Sequence, residues 1–395
     1  MQFCILGNAL GTREHLVVSD SNFSWTCEKP TGMLCLGEDS SKYSIDYIAK
    51  LFRFDVPNFA SIPQATFFKK VGVNLHDVHW QYALSNDTYQ SIIRDVVKGA
   101  KHVAMTLEES CYGNMLERRL KLLEGLEKAR IDRKRFNDCL RIEGDATQLS
   151  NLKSFTPDND GFAKKVKYDG TSTSTGRMNV SDGPRILTLR KGHRSIIQTA
   201  YDEGDIISVD YSSLEPRVAL AMSGINPAGD LYEWIDNEVF GGKLGRSKAK
   251  ILTLSIIYGM SLHTARSEYG SVSMKQKKAL KELFSVDKIT SDLLKQESLT
   301  NYFGRPIFPN GKEKVFNSFI QSTAVDTAVA GFHEVVDKLK AAGGCRPLFL
   351  IHDEIICDVP KSVSSNAEKI LNDGISVSFQ GEDTHFPVSV ERICG

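Results

Sequence analysis

Two aspartates far apart in the chain, Asp210 and Asp353, have the surroundings expected of metal-holding carboxylates. Ile206-Ile207-Ser208-Val209 reads as a buried strand that stops at Asp210. The following Tyr211-Ser212-Ser213-Leu214-Glu215-Pro216-Arg217 reads as a helix start, with a Ser as cap and Pro in the first turn. A carboxylate at the end of a buried strand can hold a cation in a cleft; the same Asp could instead cap that helix. Around the second aspartate, Leu348 to Ile351 and Ile355 to Val359 flank His352-Asp353-Glu354. That is the pattern of a β-hairpin presenting a polar triplet at its turn. Adjacent carboxylates between strongly apolar strands cost free energy unless a cation neutralises them. Only the fold can join two aspartates 143 positions apart.

A third segment supplies positive charge. From Arg246 to Gly259, steps of four put Arg246, Lys250, Leu254 and Tyr258 along one slowly turning helix face, and Gly259 closes the helix. Two cations at the front of such a face can grip the phosphates of a triphosphate, and an aromatic ring near its end can meet a base and sugar. An amphipathic surface helix with a basic front end has the same pattern.

The elements that must position these residues belong to a chain of 395 residues, long enough for two or three domains and a sizeable core. Apolar residues at 41% and charged residues at 25% are ordinary globular usage, which removes disordered and fibrous classes. Lys plus Arg equals Asp plus Glu at 49 each, so a basic footprint for nucleic acid must be local. Two stretches supply one. Residues 114–142 hold nine Lys/Arg against five Asp/Glu, with Leu116, Leu120, Leu123, Leu126 and Ala129 at helical spacing, which predicts one or two long helices. Residues 163–194 hold eight Lys/Arg against Asp169 and Asp182, around the loop-like run Gly170-Thr171-Ser172-Thr173-Ser174-Thr175-Gly176. Glycines and small hydroxylated residues let a backbone approach phosphates, which the cations neutralise; a solvated basic loop is the plainer reading. Residues 1–105 mix short apolar runs with Ser, Asp, Gly and Pro breaks, as in a small mixed α/β region. No apolar run is long enough to span a membrane, and the N-terminus lacks the basic start of a signal peptide. Eight cysteines without a C-x-x-C pair read as reduced, mostly buried thiols in an intracellular, cytoplasmic protein, rather than zinc ligands or disulfides.

Together, the three segments resemble family A DNA polymerases, the bacterial polymerase I and phage-type enzymes. DYSSLEPR is similar to their motif A, R-x3-K-x7-YG to motif B on the fingers helix, and IHDEI to motif C. TSTSTGRM at 171–178 is similar to the T-x-T-G-R segment that touches primer–template, and YFGRPIFPN followed by NSFIQSTAVD to the G-R turn and N-x3-Q helix. Five motifs in family order cover about Thr171 to Pro360. The resemblance implies an α+β right-hand fold with an antiparallel-sheet palm, helical fingers and helical thumb. It also implies template-directed addition of dNTPs to a primer 3′-hydroxyl. Asp210 and Asp353, with the Tyr211 carbonyl, would bind two magnesium ions (manganese as a substitute), and Glu354 would support them. Arg246 and Lys250 would hold the triphosphate, Lys250 also protonating pyrophosphate. Tyr258 would lie beside the templating position and pair with Glu215, which blocks a ribose 2′-hydroxyl; Ser213, Leu214 and Leu254 complete the nucleotide pocket. Arg177, Thr175, Gly259, Arg305, Asn317, Gln321 and His352 would contact primer and template.

The family pattern also divides the chain. It implies an N-terminal region at 1–105, a thumb with the basic loop at 106–182, palm at 183–225 and 303–395, and fingers at 226–302. The sequence departs from the family at Leu254, where Phe or Tyr is usual, at Ser213 for Gln and at Pro216 for an aliphatic residue. The span from Tyr258 to Gly304 is short, so abbreviated fingers are expected. No Asp-x-Glu precedes Asp236, so no intact 3′→5′ exonuclease is expected; residues 1–105 could dock replication accessory proteins. By analogy, such a compact core suits a virus or mobile element. The rivals are a single-subunit RNA polymerase, against which Glu215 and the His-Asp-Glu order speak, and a non-catalytic nucleic-acid-binding subunit, against which the intact aspartates and cations speak.

Overall fold

The structure is a computed structural model describing residues 3–10, 12–19, 22–30, 34–36, 65–73, 78, 80–108, 111–169, 173–259, 261, 263–264, 272–296, 299–305, 307, 309–372, 374–379 and 381–393. Residues 170–172 of the glycine- and hydroxyl-rich loop lie outside the described residues, as does much of 258–304 between Met260 and Ser271. The chain forms two compact units, Met1–Glu124 and Gly125–Gly395. Among the described residues, no helix is long and apolar enough to cross a membrane. Cys4, Cys35, Cys345 and Cys357 are buried free thiols.

The first unit mixes strand and helix. Its sheet runs in the order Phe23–Thr26, His15–Val18, Phe3–Ile5, Leu34–Leu36, with the last pair parallel and the others antiparallel. Phe3, Ile5 and Leu16 are fully buried, and the helices Asn86–Glu108 and Cys111–Glu124 follow.

The helical spacing from Leu116 to Ala129 extends further than the helix does. The helix ends at Glu124, and Arg130–Ile131 is a short strand antiparallel to Ile197–Gln198, before a new helix begins at Arg133. Leu126 and Ala129 are buried, so their hydrophobicity signals core while their spacing is not helical. Gly125 breaks the pattern at low cost in the turn and high cost in a helix.

The second unit is built on a four-stranded antiparallel sheet in the order Arg346–Ile351, Glu354–Pro360, Gly204–Tyr211, Val388–Arg392. Ile206 to Val209 are buried without a break, because both faces of this central strand are covered. The strand does not stop at Asp210. It continues through Tyr211, since Asp210 pairs with Glu354 on one side and Ser389 on the other. The helix Val315–Ala341 lies against it, with Phe332 and Tyr211 rings 5.6 Å apart. At Gly331 a Cβ would sit 1.8 Å from the Tyr211 hydroxyl oxygen, so no other residue permits this approach.

A second hydrophobic cluster holds the helix Arg246–Ile257 in place. Its Ala249, Leu252, Ile256 and Ile257 pack with Leu231, Tyr232, Ile235, Leu280, Phe284 and Phe316. The opposite face is thereby left for Arg246, Lys250 and Leu254. The helix start is pinned by Asp236, whose carboxylate accepts from the amides of Leu244 at 3.1 Å and Gly245 at 2.8 Å. Asp236 of the Asp-x-Glu run is therefore a buried anchor for backbone.

Candidate active site

The two strands and the hairpin bring Asp210 and Asp353 to the same place. Ile351 pairs with Glu354, so His352 and Asp353 form a two-residue turn, with Glu354 already in the strand. His352 takes φ 54°, the left-handed region that L residues rarely occupy, as a tight hairpin turn demands. The turn is tied to the central strand where the Tyr211 N–H donates to the Asp353 carbonyl at 3.1 Å. The two aspartates thus approach through backbone pairing, which fixes them without help from their own side chains.

Both carboxyls are pushed above the usual carboxylate range. For Asp210, loss of hydration beside the protein wall acts first, then the negative charges of Asp353, Glu354 and Glu391, opposed by Lys191; together they raise it to about 7. Its side chain is still open to the cleft, so an incoming cation would relieve the repulsion among these acids. For Asp353 the shift is also upward, again led by lost hydration, with Glu215 raising it and His352 and Arg177 lowering it. Among the described residues no set of three or more His, Cys, Asp or Glu forms a cage for a metal. The donors are a pair of carboxylates and the Tyr211 backbone beside an open cleft. Hard oxygen donors carrying unrelieved negative charge fit divalent cations that keep several ligand positions for water and phosphate oxygens.

The cleft has a volume of about 850 Å³ and is lined by fourteen of the residues singled out from sequence or adjoining them: Asp210, Tyr211, Ser213, Leu214, Glu215, Arg177, Met178, Arg246, Lys250, Leu254, Tyr258, Gln321, His352 and Asp353. Carboxylates and the Arg246/Lys250 pair therefore line the same cleft. Glu215 accepts hydrogen bonds from both the Tyr258 hydroxyl and the Arg177 guanidinium. Burial first, and then the Glu215 charge, raise the Tyr258 phenol far above its usual range, so the hydroxyl stays protonated and donates. Ser213 adopts φ 62° as N-cap of the helix Leu214–Ala221 and makes no side-chain capping bond, contrary to the expected Ser cap; its backbone is left-handed where a capping residue is usually extended.

Several expected contacts sit elsewhere. Glu354 is paired across the sheet with Asp210, but its carboxylate is taken by Arg194 at 2.7 and 3.0 Å and by the Ser208 hydroxyl at 2.5 Å. Its charge is thus neutralised by protein, unlike that of its neighbour. Arg305 is 7% exposed and bonded through Nε and Nη2 to the buried Asp326, so a direct grip on a phosphate does not match its placement. It lies instead behind Gly176, where a Cβ would come 3.1 Å from its Nε. Thr175 is buried, Gly259 has φ 101° just past the helix end, and the Asn317 amide reaches the Tyr258 carbonyl only at 3.5 Å; none of the three lines the cleft.

Sequence reasoning also missed residues. Arg217 is buried and donates to the carbonyls of Ser212, Pro227 and Gly229, locking the loop below the cleft. Asp230 and Tyr232 line the cleft beside Arg246, and Arg194 holds Glu354. An Asp three residues before Glu233 reads only as a helix cap, and an Arg in a basic stretch reads as surface charge, so neither pairing had a signal in local spacing.

The family model for DNA polymerase family A matches residues 145–392. The thermostable DNA polymerase I of Thermus aquaticus is 24% identical over 234 residues, covering 50% of this chain and 28% of that protein. DNA polymerase I of Aquifex aeolicus is 24% identical over 249 residues, covering 55% of this chain and 43% of its own length. The chain thus spans less than half of the length of these curated relatives. The polymerase domain of Pol1 from M. smegmatis, solved with DNA primer-template and dNTP, superposes with a TM-score of 0.57 at 12% identity, covering 99% of this chain and 94% of that one. That likeness is one of fold: the α+β architecture of a polymerase domain. With the family model spanning more than half of its length, this chain belongs to DNA polymerase family A.

Proposed function

We propose that the chain is a template-directed DNA polymerase that adds dNTPs to a primer 3′-hydroxyl. The reading rests chiefly on one observation: Asp210, Asp353, Arg246 and Lys250 all line one cleft. Carboxylates and cations around one space of nucleotide size suit a polyphosphate ester bound with divalent ions. Two magnesium ions held by Asp210, Asp353 and the Tyr211 carbonyl would lower the charge barrier between the primer hydroxyl, the triphosphate and the leaving pyrophosphate. The chain's own residues then position and stabilise, since phosphoryl transfer leaves little covalent work to protein. Arg246 and Lys250 bind triphosphate oxygens, and Lys250 donates a proton to the departing pyrophosphate. Arg194 pairs with Glu354 and holds its carboxylate in the sheet beside Asp210. Arg177, Gln321 and His352 face primer and template near the new pair, and thumb and basic loop follow the duplex through its phosphates, so binding weakens with salt. Accessory proteins docking on residues 1–105 remain part of this proposal.

Deoxynucleotide preference follows from Glu215. Its carboxylate is held by Tyr258 and Arg177, which supports the reading that it blocks a ribose 2′-hydroxyl. Glu215→Ala should therefore narrow the dNTP-over-NTP preference by about a hundred-fold, within the range one well-placed side chain provides. Competitive single-nucleotide extension measures this, and an unchanged ratio overturns the assignment. Leu254 fills the cleft wall as an aliphatic group that cannot stack on a base or sugar. Leu254→Phe should tighten dNTP binding and raise dideoxynucleotide incorporation by about two- to ten-fold. The deciding experiment is extension of a primed template by the wild-type chain with magnesium and either dNTPs or NTPs. Extension with NTPs alone favours an RNA polymerase, and binding without extension favours a non-catalytic subunit.

A further inference from the structure

We infer that Asp230 and Tyr232, at the start of the short helix Leu231–Ile235, are the positioning residues for the two phosphate-gripping cations. The inference rests on the reading of Arg246 and Lys250 as that grip. Asp230 divides its carboxylate between two tasks. Oδ1 caps the helix by accepting from the amides of Tyr232 and Glu233, each at 3.0 Å. Oδ2 pairs with Arg246 Nε at 2.7 Å. Binding through Nε leaves the terminal edge of the guanidinium as the donor face for phosphate oxygens.

Tyr232 holds both cations from beneath. Arg246 Cζ lies 6.0 Å and Lys250 Nζ 5.7 Å from the centre of its ring. Tyr232 is 1% exposed, so its ring is a fixed surface. Long basic side chains lose substantial rotamer entropy on being held, and here that loss is taken before any nucleotide arrives. An aromatic face attracts both cations without neutralising either, so two like charges are kept together with their charge available to an anion.

Asp230 allows opposite expectations to be separated. If its charge merely competed with phosphate for Arg246, removing it would improve nucleotide binding. As a positioning group, its removal weakens binding. Asp230→Asn keeps a helix-capping oxygen and removes the ion pair. The experiment is primer extension by the full chain, reading kcat and KM for dNTP and for primer–template separately, with inorganic tripolyphosphate as a probe of the phosphate grip alone, both as inhibitor and by calorimetry. Asp230→Asn is expected to raise KM for dNTP about three- to five-fold. Tyr232→Leu is expected to raise it, and to weaken tripolyphosphate binding, about ten-fold, and Tyr232→Phe to recover most of the loss. KM for primer–template should not follow. A lower KM for dNTP in Asp230→Asn, equal losses in the Leu and Phe variants, or parallel rises in both KM values overturn the inference. If the wild type fails to extend any primer, the polymerase reading fails; calorimetry with tripolyphosphate still decides this one, supporting it where wild type binds and Tyr232→Leu does not, and overturning it where the two bind alike or neither binds.

Discussion

Asp353→Asn should abolish primer extension, lowering kcat by more than about a thousand-fold, some 4 kcal/mol of transition-state stabilisation. The same change should not destabilise the protein. In a chelating buffer its melting temperature should match or exceed that of the wild type. Asp353 is one of the negative charges that raise Asp210 to about 7, and the hairpin is tied to the central strand through the Asp353 carbonyl, which Asn retains. Removing a charge that repels its neighbour relaxes the site while depriving it of a cation ligand, the usual opposition between function and stability. Added magnesium should raise the melting temperature of wild type more than that of the variant. Kinetics and thermal denaturation, with and without magnesium, check all of this. A clear fall in the variant's melting temperature in chelator would mean that Asp353 is structural.

Arg305→Ala should produce the largest loss of stability. The guanidinium and the Asp326 carboxylate are 8% and 1% exposed, and Asn301 ties the pair together by donating to Asp326 at 2.7 Å and accepting from the Arg305 amide at 2.9 Å. Breaking a buried pair by removing one partner leaves the other charge unpaired in low dielectric, at a cost of about 3–5 kcal/mol. At roughly 2–4 °C per kcal/mol for a unit of this size, the melting temperature should fall by about 10 °C. Replacing both partners with apolar residues, Arg305→Met with Asp326→Leu, should recover much of that loss, because no charge is left stranded. Because Arg305 lies behind Gly176, the single variant should also loosen the loop carrying Arg177 and weaken primer–template binding. A stability change below about 1 kcal/mol would show that solvent reaches Asp326 after all.

The cleft was legible in sequence to the extent that its chemistry was local. The hairpin around Asp353, the helix from Arg246 with its lining face, and Gly259 as its terminator follow from periodicity and turn chemistry, which depend on neighbours a few residues away. The pairing of Glu215 with Tyr258 came from family resemblance, since no spacing rule connects positions 43 apart. What misled was also local. Leu126 and Ala129 sit at helical intervals yet are buried from a loop, and Arg305, expected to contact primer and template, is instead buried against Asp326 on another element.

Sequence alone determined which side chains are available and which short elements carry them: a strand before Asp210, a tight turn at His352-Asp353, a helix with cations on one face. Tertiary structure decided which carboxylates are left to bind a ligand. Glu354 neighbours Asp210 in the sheet, but Arg194 pairs with it and Ser208 donates to it, while lost hydration and neighbouring acids disfavour the charge on Asp210 and Asp353. It likewise decided that Arg246 and Lys250 share one aromatic face and that Asp230 holds the first of them. The physical reason is that charge interactions depend on distance and burial, and partners separated by 16 to 160 positions acquire both only when the chain packs.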